Sequence, residues 1–195
     1  NHPLGNVFQS LINIISRDNP RFVVLENVEG ILNNRFGFSM ASVISELTAL
    51  DYIVEWFSID TEWFGIPQTR ARIFFIAYKS QAIIGFKDLF GNIDLNEYFK
   101  NSSVFLNLVN ELNISINDFN TGIIEDVIEE TKPQIGKKKP NRPSPFGPAG
   151  IAYSGIFTSY KIGIDVLEPN IKLGDICCPN FFKKDTARSV RYYAR

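Results

Sequence analysis

Four apolar residues in succession, Phe22-Val23-Val24-Leu25, follow Asn19-Pro20-Arg21 and stop at the polar pair Glu26-Asn27. The run is too short for a stable helix and lacks the alternation of a strand with one wet face. It reads as a buried strand, of the kind a parallel sheet covered on both sides demands, and is placed centrally in an α/β fold. The neighbouring periodicities agree with that class. Val7, Leu11, Ile14 and Ile15 recur at helical spacing and end near Asn19-Pro20, where proline forbids continuation. After a loop from Gly30 to Phe38, the residues Met40, Val43, Ile44, Leu47 and Leu50 repeat at intervals of three and four and predict a second helix. Tyr52–Ile59 and Arg72–Tyr78 then read as strands, expected to be an antiparallel pair at one edge of the sheet.

Charge divides the remainder. Residues 1–79 carry 6 basic and 8 acidic groups, residues 80–130 carry 2 and 9, and residues 131–195 carry 12 and 4. The net charge of −1 therefore conceals a basic final third, although gross charge names no partner. With 45% apolar and 21% charged residues, the chain can bury a sizeable core. Its longest apolar run, Ile73 to Tyr78, is far short of the roughly 18 residues of a membrane span, and the first thirty residues lack a basic-then-apolar signal. The expectation is an intracellular, cytoplasmic protein with no membrane partner. Residues 80–130 read as irregular structure with helices such as Leu95–Val109 and Ile123–Glu130. Lys132–Pro148 holds five prolines and five basic residues with almost nothing to bury, and is expected to be an extended cationic loop. Beyond it, Ile151–Thr158 and Tyr160–Val166 predict short strands in a hairpin.

Two segments carry chemistry. Glu26-Asn27-Val28 lies where the buried strand ends, and in an open parallel sheet the carboxyl ends of strands line the ligand crevice. In Gly65-Ile66-Pro67-Gln68-Thr69-Arg70-Ala71-Arg72, proline keeps the arm before the next strand extended, and a side-chain period of two sets Gln68, Arg70 and Arg72 on one face. Two guanidiniums and an amide there suit a phosphate or the carbonyl oxygen of a base. Taken singly, the glutamate also suits a turn cap and the arginines a solvated strand edge. Trp56 and Trp63 read as packing residues, and His2 as solvated. No metal-ligand spacing occurs, and the adjacent Cys177 and Cys178 suit neither a metal site nor a disulfide framework.

Together the two segments resemble the cytosine-5 DNA methyltransferases of bacterial type. The stretch PRFVVLENVEGIL, Pro20 to Leu32, is similar to one block of that family, and FGIPQTRARIFFIA, Phe64 to Ala77, to another, in the family's order and at a compatible separation. GNVFQSLINII from Gly5 resembles the preceding helical block. PFGPAGIAYSGIFTS, Pro145 to Ser159, and Lys172-Leu173-Gly174-Asp175-Ile176 resemble target-recognition regions of some members.

The resemblance implies residues 1–79 as the second half of a Rossmann-like class I methyltransferase domain, and residues 80–195 as part of a target-recognition region. It implies S-adenosyl-L-methionine as co-substrate, with Val7 of the helical block near it, and double-stranded DNA as partner, with a restriction endonuclease as a genetic one. In the implied reaction a thiolate adds to carbon 6 of a flipped cytosine and the base is methylated at carbon 5. Glu26 would act at ring nitrogen 3 and Arg72 on the carbonyl oxygen, while Arg70, Gln68 and Asn27 order the site. Lys137, Lys138, Lys139 and Arg142 are expected on the DNA backbone. The family's Pro-Cys and glycine-rich blocks do not occur in this sequence, which reads as the middle of a longer enzyme, inactive by itself. A tRNA-cytosine methyltransferase relative and a catalytically dead DNA-binding relative are the alternatives.

Overall fold

In a computed structural model, the structure describes residues 3–66, 68–79, 94–109, 114–131 and 143–164. His2, Pro67, Lys132, Lys137, Lys138, Lys139, Arg142, Cys177, Cys178 and the 172–176 segment lie outside the described residues.

Helix α1 spans Pro3–Asp18 and buries Ile12 and Ile15. It stops as expected: Asn19 turns left-handed at φ 46°, its N–H closes on Ile15 O at 2.9 Å, and proline follows. Strand β1, Phe22–Val28, leads through two 3-10 turns into α2, Phe38–Ala49. Gly37, left-handed at φ 95°, opens α2, whose Met40, Val43, Ile44 and Leu47 are buried. Strand β2 is Tyr52–Asp60 and β3 is Ala71–Lys79. The acidic stretch forms α3, Leu95–Ser102, and α4, Val104–Leu108, where one helix over Leu95–Val109 is predicted. Ser103 breaks it, because its extended backbone and its hydroxyl cap a new start at Leu106 N. Strand β4, Ile114–Ile123, runs directly into α5, Ile124–Thr131. Its Asn117-Asp118-Phe119-Asn120 centre carries no alternation and contains a register shift, so no strand was legible there. Strands β5, Ala149–Tyr153, and β6, Ile156–Ile164, form the expected hairpin. Ser154 at φ 50° and Gly155 at φ 82° make the turn, which assigns Ile156 to Thr158 to the second strand and not the first.

The six strands form one sheet in the order β1-β3-β2-β5-β6-β4, and every pairing among the described residues is antiparallel. Among the described strands the central, parallel placement expected for Phe22–Leu25 is not met: β1 stands last in the order, and of its apolar run Val23 is buried, whereas Phe22 and Val24 are 62% and 66% exposed. The reason is topological. Strands β1 and β2 run in the same direction around the α2 crossover, but β3 returns between them and takes the bonds each would have given the other. Nor are β2 and β3 an edge pair: β2 also bonds β5, and all its residues from Tyr52 to Ser58 are buried.

Helices α1, α2 and α5 cover one face of the sheet, with Val54, Trp56, Ile73 and Phe75 beneath them. Helices α3 and α4 cover the other, over Ile53, Phe57, Ile76 and Tyr78. The end of the proline-rich stretch is not the bare loop expected. Phe146 is 5% exposed and packs edge-on to Trp56 at 5.9 Å, and Trp56 Nε1 donates to Gly147 O at 3.2 Å.

Gly150 sits opposite Trp56 in the β2–β5 pair, and a Cβ added there would lie 2.1 Å from the indole ring and 2.6 Å from Thr158 O. Neither the buried ring nor the backbone can yield. Gly150→Ala is expected to lower stability by about 1–3 kcal/mol in urea denaturation, whereas Gly30→Ala, with nothing within 4 Å of the new methyl group, should leave the midpoint nearly unchanged.

Candidate active site

The carboxyl ends of β1 and β2 and the amino end of β3 meet on one rim of the sheet. Glu26 opposes Phe74 and Arg72 opposes Val28, so the two charged residues are diagonal neighbours on one face. Arg72 Nε lies 2.8 Å from Glu26 Oε1, with the guanidinium side chain 25% and the carboxylate 51% exposed. Arg72 Nη1 also donates to Ala71 O at 2.8 Å, which fixes the fork against its own strand. The pair is ordered at its base and open at its outer edge. It presents a cation and a carboxyl group side by side, a match for a flat heterocycle that carries a carbonyl oxygen next to a ring nitrogen and an amine.

Asn27 belongs to the opposite face, and its Oδ1 accepts the Val28 N–H at 2.8 Å. Gln68 and Arg70 precede β3, which begins at Ala71, so the strand period does not extend to them. Both are exposed, and their backbones are held from the far side of the loop. Thr61 Oγ1 donates to Gln68 O, and Arg70 N donates to Asp60 Oδ1 at 2.9 Å. The same Asp60 oxygen accepts from Glu62 N at 3.1 Å. Asp60 thus ties both ends of the loop that delivers Arg72, a role not foreseen; the signal was an aspartate at a strand end just before a turn.

The structure brings Glu26 and Arg72 together, leaves Gln68 and Arg70 on the adjoining loop, and puts Val7 elsewhere. Val7, on α1, is 66% exposed, an apolar side chain that a ligand could cover. Its neighbour Phe8 lines an open cleft of about 670 Å³ with Asn27, Val28, Asn33, Phe38 and Ser42. Trp56 is core, and Trp63 packs partly buried against Phe57 and its neighbours. Among the described residues no group of His, Cys, Asp and Glu is placed to hold a cation, and no helix is long and apolar enough to cross a membrane.

Comparison with known proteins specifies the class to which this α/β fold, with its Glu26–Arg72 pair at the strand ends, belongs. The family model for C-5 cytosine-specific DNA methylases matches residues 1–148, and the chain belongs to that family. It is 34% identical over 83 residues to the Type II methyltransferase M.MspI of Moraxella sp, an alignment covering 42% of this chain and 20% of that protein. It is similar to M.BsuFI of Bacillus subtilis at 31% over 77 residues, covering 40% and 19%, and to M.BanI of Aneurinibacillus aneurinilyticus at 27% over 125 residues, covering 63% and 27%. The chain spans about a fifth to a quarter of the length of these curated relatives.

Proposed function

We propose that the chain supplies the base-recognition part of a DNA (cytosine-5-)-methyltransferase. The observation that carries this reading is the Glu26–Arg72 pair at 2.8 Å on the strand-end rim. Cytosine must leave the duplex stack to be reached, and it then offers a carbonyl oxygen, ring nitrogen 3 and the exocyclic amine along one edge. Arg72 donates to the carbonyl oxygen. The Glu26 carboxyl group meets the ring nitrogen and the amine. When a nucleophile adds at carbon 6, electron density moves toward that nitrogen, and a proton held there by Glu26 stabilises the adduct. Asp60 and Thr61 hold the loop before Arg72, and Arg70 and Gln68, exposed on it, order the surrounding backbone. Asn27 fixes the strand end. S-adenosyl-L-methionine, when bound, supplies the methyl group, and Val7 would be this chain's contact with it. Lys137, Lys138, Lys139 and Arg142 would neutralise DNA phosphates without reading bases. Residues 80–195 would contribute target recognition, although β4, β5 and β6 of that stretch share the catalytic sheet. The enzyme would act in the cytoplasm on the nucleoid. Because its relatives are Type II methyltransferases, a restriction endonuclease is its expected genetic partner.

The test is labelling. The full-length protein, incubated with duplex DNA and S-adenosylmethionine carrying a radiolabelled methyl group, should label cytosine carbon 5 in DNA. The present chain alone should leave the DNA unlabelled, because its only cysteines, Cys177-Cys178, lack the preceding proline of the family's nucleophile block. In a parallel incubation with tRNA, label on tRNA and none on DNA would replace the DNA reading, and DNA binding without label on either would favour a non-catalytic relative.

A further inference from the structure

The turn that follows Glu26 is held down from two distant parts of the chain. Glu29 Oε1 accepts a hydrogen bond from Ser58 Oγ at 2.6 Å. Ser58 is 2% exposed and lies in the row Asn27, Ile73, Ser58, on the face of the sheet opposite the Glu26–Arg72 pair. Glu29 therefore reaches across the width of β3 to grip β2. The Ser58 amide in turn donates to Pro148 O at 2.6 Å, at the end of the 143–148 segment. That segment touches the turn a second time, through Ser144 Oγ, which donates to Leu32 O at 2.6 Å. Its close approach depends on Gly37, where an added Cβ would lie 2.8 Å from Ser144 Oγ.

We infer that Glu29, Ser58 and Ser144 are positioning residues for Glu26, forming a clamp through which segment 143–148 fixes the end of β1. The turn Glu29–Leu32 follows β1 directly, so these bonds hold the backbone just beyond Glu26. A carboxyl group that must meet a ring nitrogen within hydrogen-bond tolerance gains from a backbone tied immediately beyond it, since small displacements of a reacting group cost large factors in rate. Glu29 is an acceptor in this role and needs no charge for it.

The inference rests on the methyltransferase reading, and its test separates the two. In the full-length enzyme, Glu29→Ala and Ser58→Ala should each slow single-turnover methylation about tenfold, with the Kd for DNA changed less than about twofold. Glu29→Gln should restore most of the rate, because its amide oxygen still accepts from Ser58. The double variant should be no slower than either single one. Unchanged rates, additive losses, or a loss confined to DNA affinity would each overturn the clamp. Should the parent enzyme not methylate DNA at all, the functional reading fails instead. Hydrogen exchange then decides the clamp: amides of 29–33 should exchange about tenfold faster in Ser58→Ala and Ser144→Ala, and unaltered protection would overturn it.

Discussion

Glu26→Gln is expected to slow the chemical step of the full-length enzyme by about 100-fold or more, the usual worth of a positioned acid or base, while DNA affinity changes little. The substitution keeps the size of the side chain and an oxygen that can face Arg72, so the pair on the rim is weakened but its geometry survives. What is lost is the titratable oxygen at ring nitrogen 3. Folding should tolerate the change, because Glu26 is half exposed in its pair with Arg72, and exposed pairs contribute only about 0–1 kcal/mol. Rapid-quench measurement of methyl transfer at saturating DNA checks the expectation. A single-turnover rate equal to the parent's would remove Glu26 from the chemistry and leave it as a support for Arg72.

The largest effect on stability is expected at Glu55. This carboxylate is fully buried in the middle of β2 and, among the described residues, accepts four hydrogen bonds. Oε1 takes the Tyr78 hydroxyl at 2.6 Å and Val104 N at 3.1 Å; Oε2 takes the Ser103 hydroxyl at 2.6 Å and Phe105 N at 3.1 Å. Burial, and then the neighbouring Glu55, push the Tyr78 phenol far above its ordinary range, so it remains a donor at any working pH. Tyr98 shares that phenol at 3.2 Å. Glu55→Ala removes the acceptor that these four donors share, and at roughly 1–3 kcal/mol for each group left unsatisfied the total loss should be about 3 kcal/mol or more. Glu55→Gln keeps one accepting oxygen and should fall between. Urea denaturation of the chain measures both. If the alanine variant lost less than about 1 kcal/mol, the network would not be what fastens α3 and α4 to the sheet.

The contrast between these two glutamates shows where sequence is legible. Glu26 could be singled out, and its pairing with Arg72 anticipated as one region, because the signals are local: an apolar run that ends in Glu-Asn-Val, and an arginine segment with its own proline and glycine punctuation. Helices α1, α2 and α5 and the β5–β6 hairpin were readable for the same reason, since periodicity and turn chemistry reside within a few residues. Glu55 could not. Its partners come from β3 and from the junction of α3 and α4, and in sequence it is only a charge inside an apolar strand. The position of β1 failed likewise. Four apolar residues state that a strand forms, but not which strand will lie beside it, and here a later segment supplies the neighbour. Gly150, Ser58 and Asp60 carry their meaning only through residues across the sheet.

The insertion of β3 between β1 and β2 also dictates an order of assembly. Two strands that run in the same direction around a crossover helix would ordinarily bond each other as soon as that helix docks. Here they must be left a strand's width apart until Ala71–Lys79 has emerged and entered the gap, bonding both at once. During synthesis Glu26 therefore waits without its counter-ion, because the same strand that completes the hydrogen-bond ladder delivers Arg72. The Glu26–Arg72 pair and the β1-β3-β2 part of the sheet therefore come into being together, and a nascent chain that stops short of Ala71 has neither.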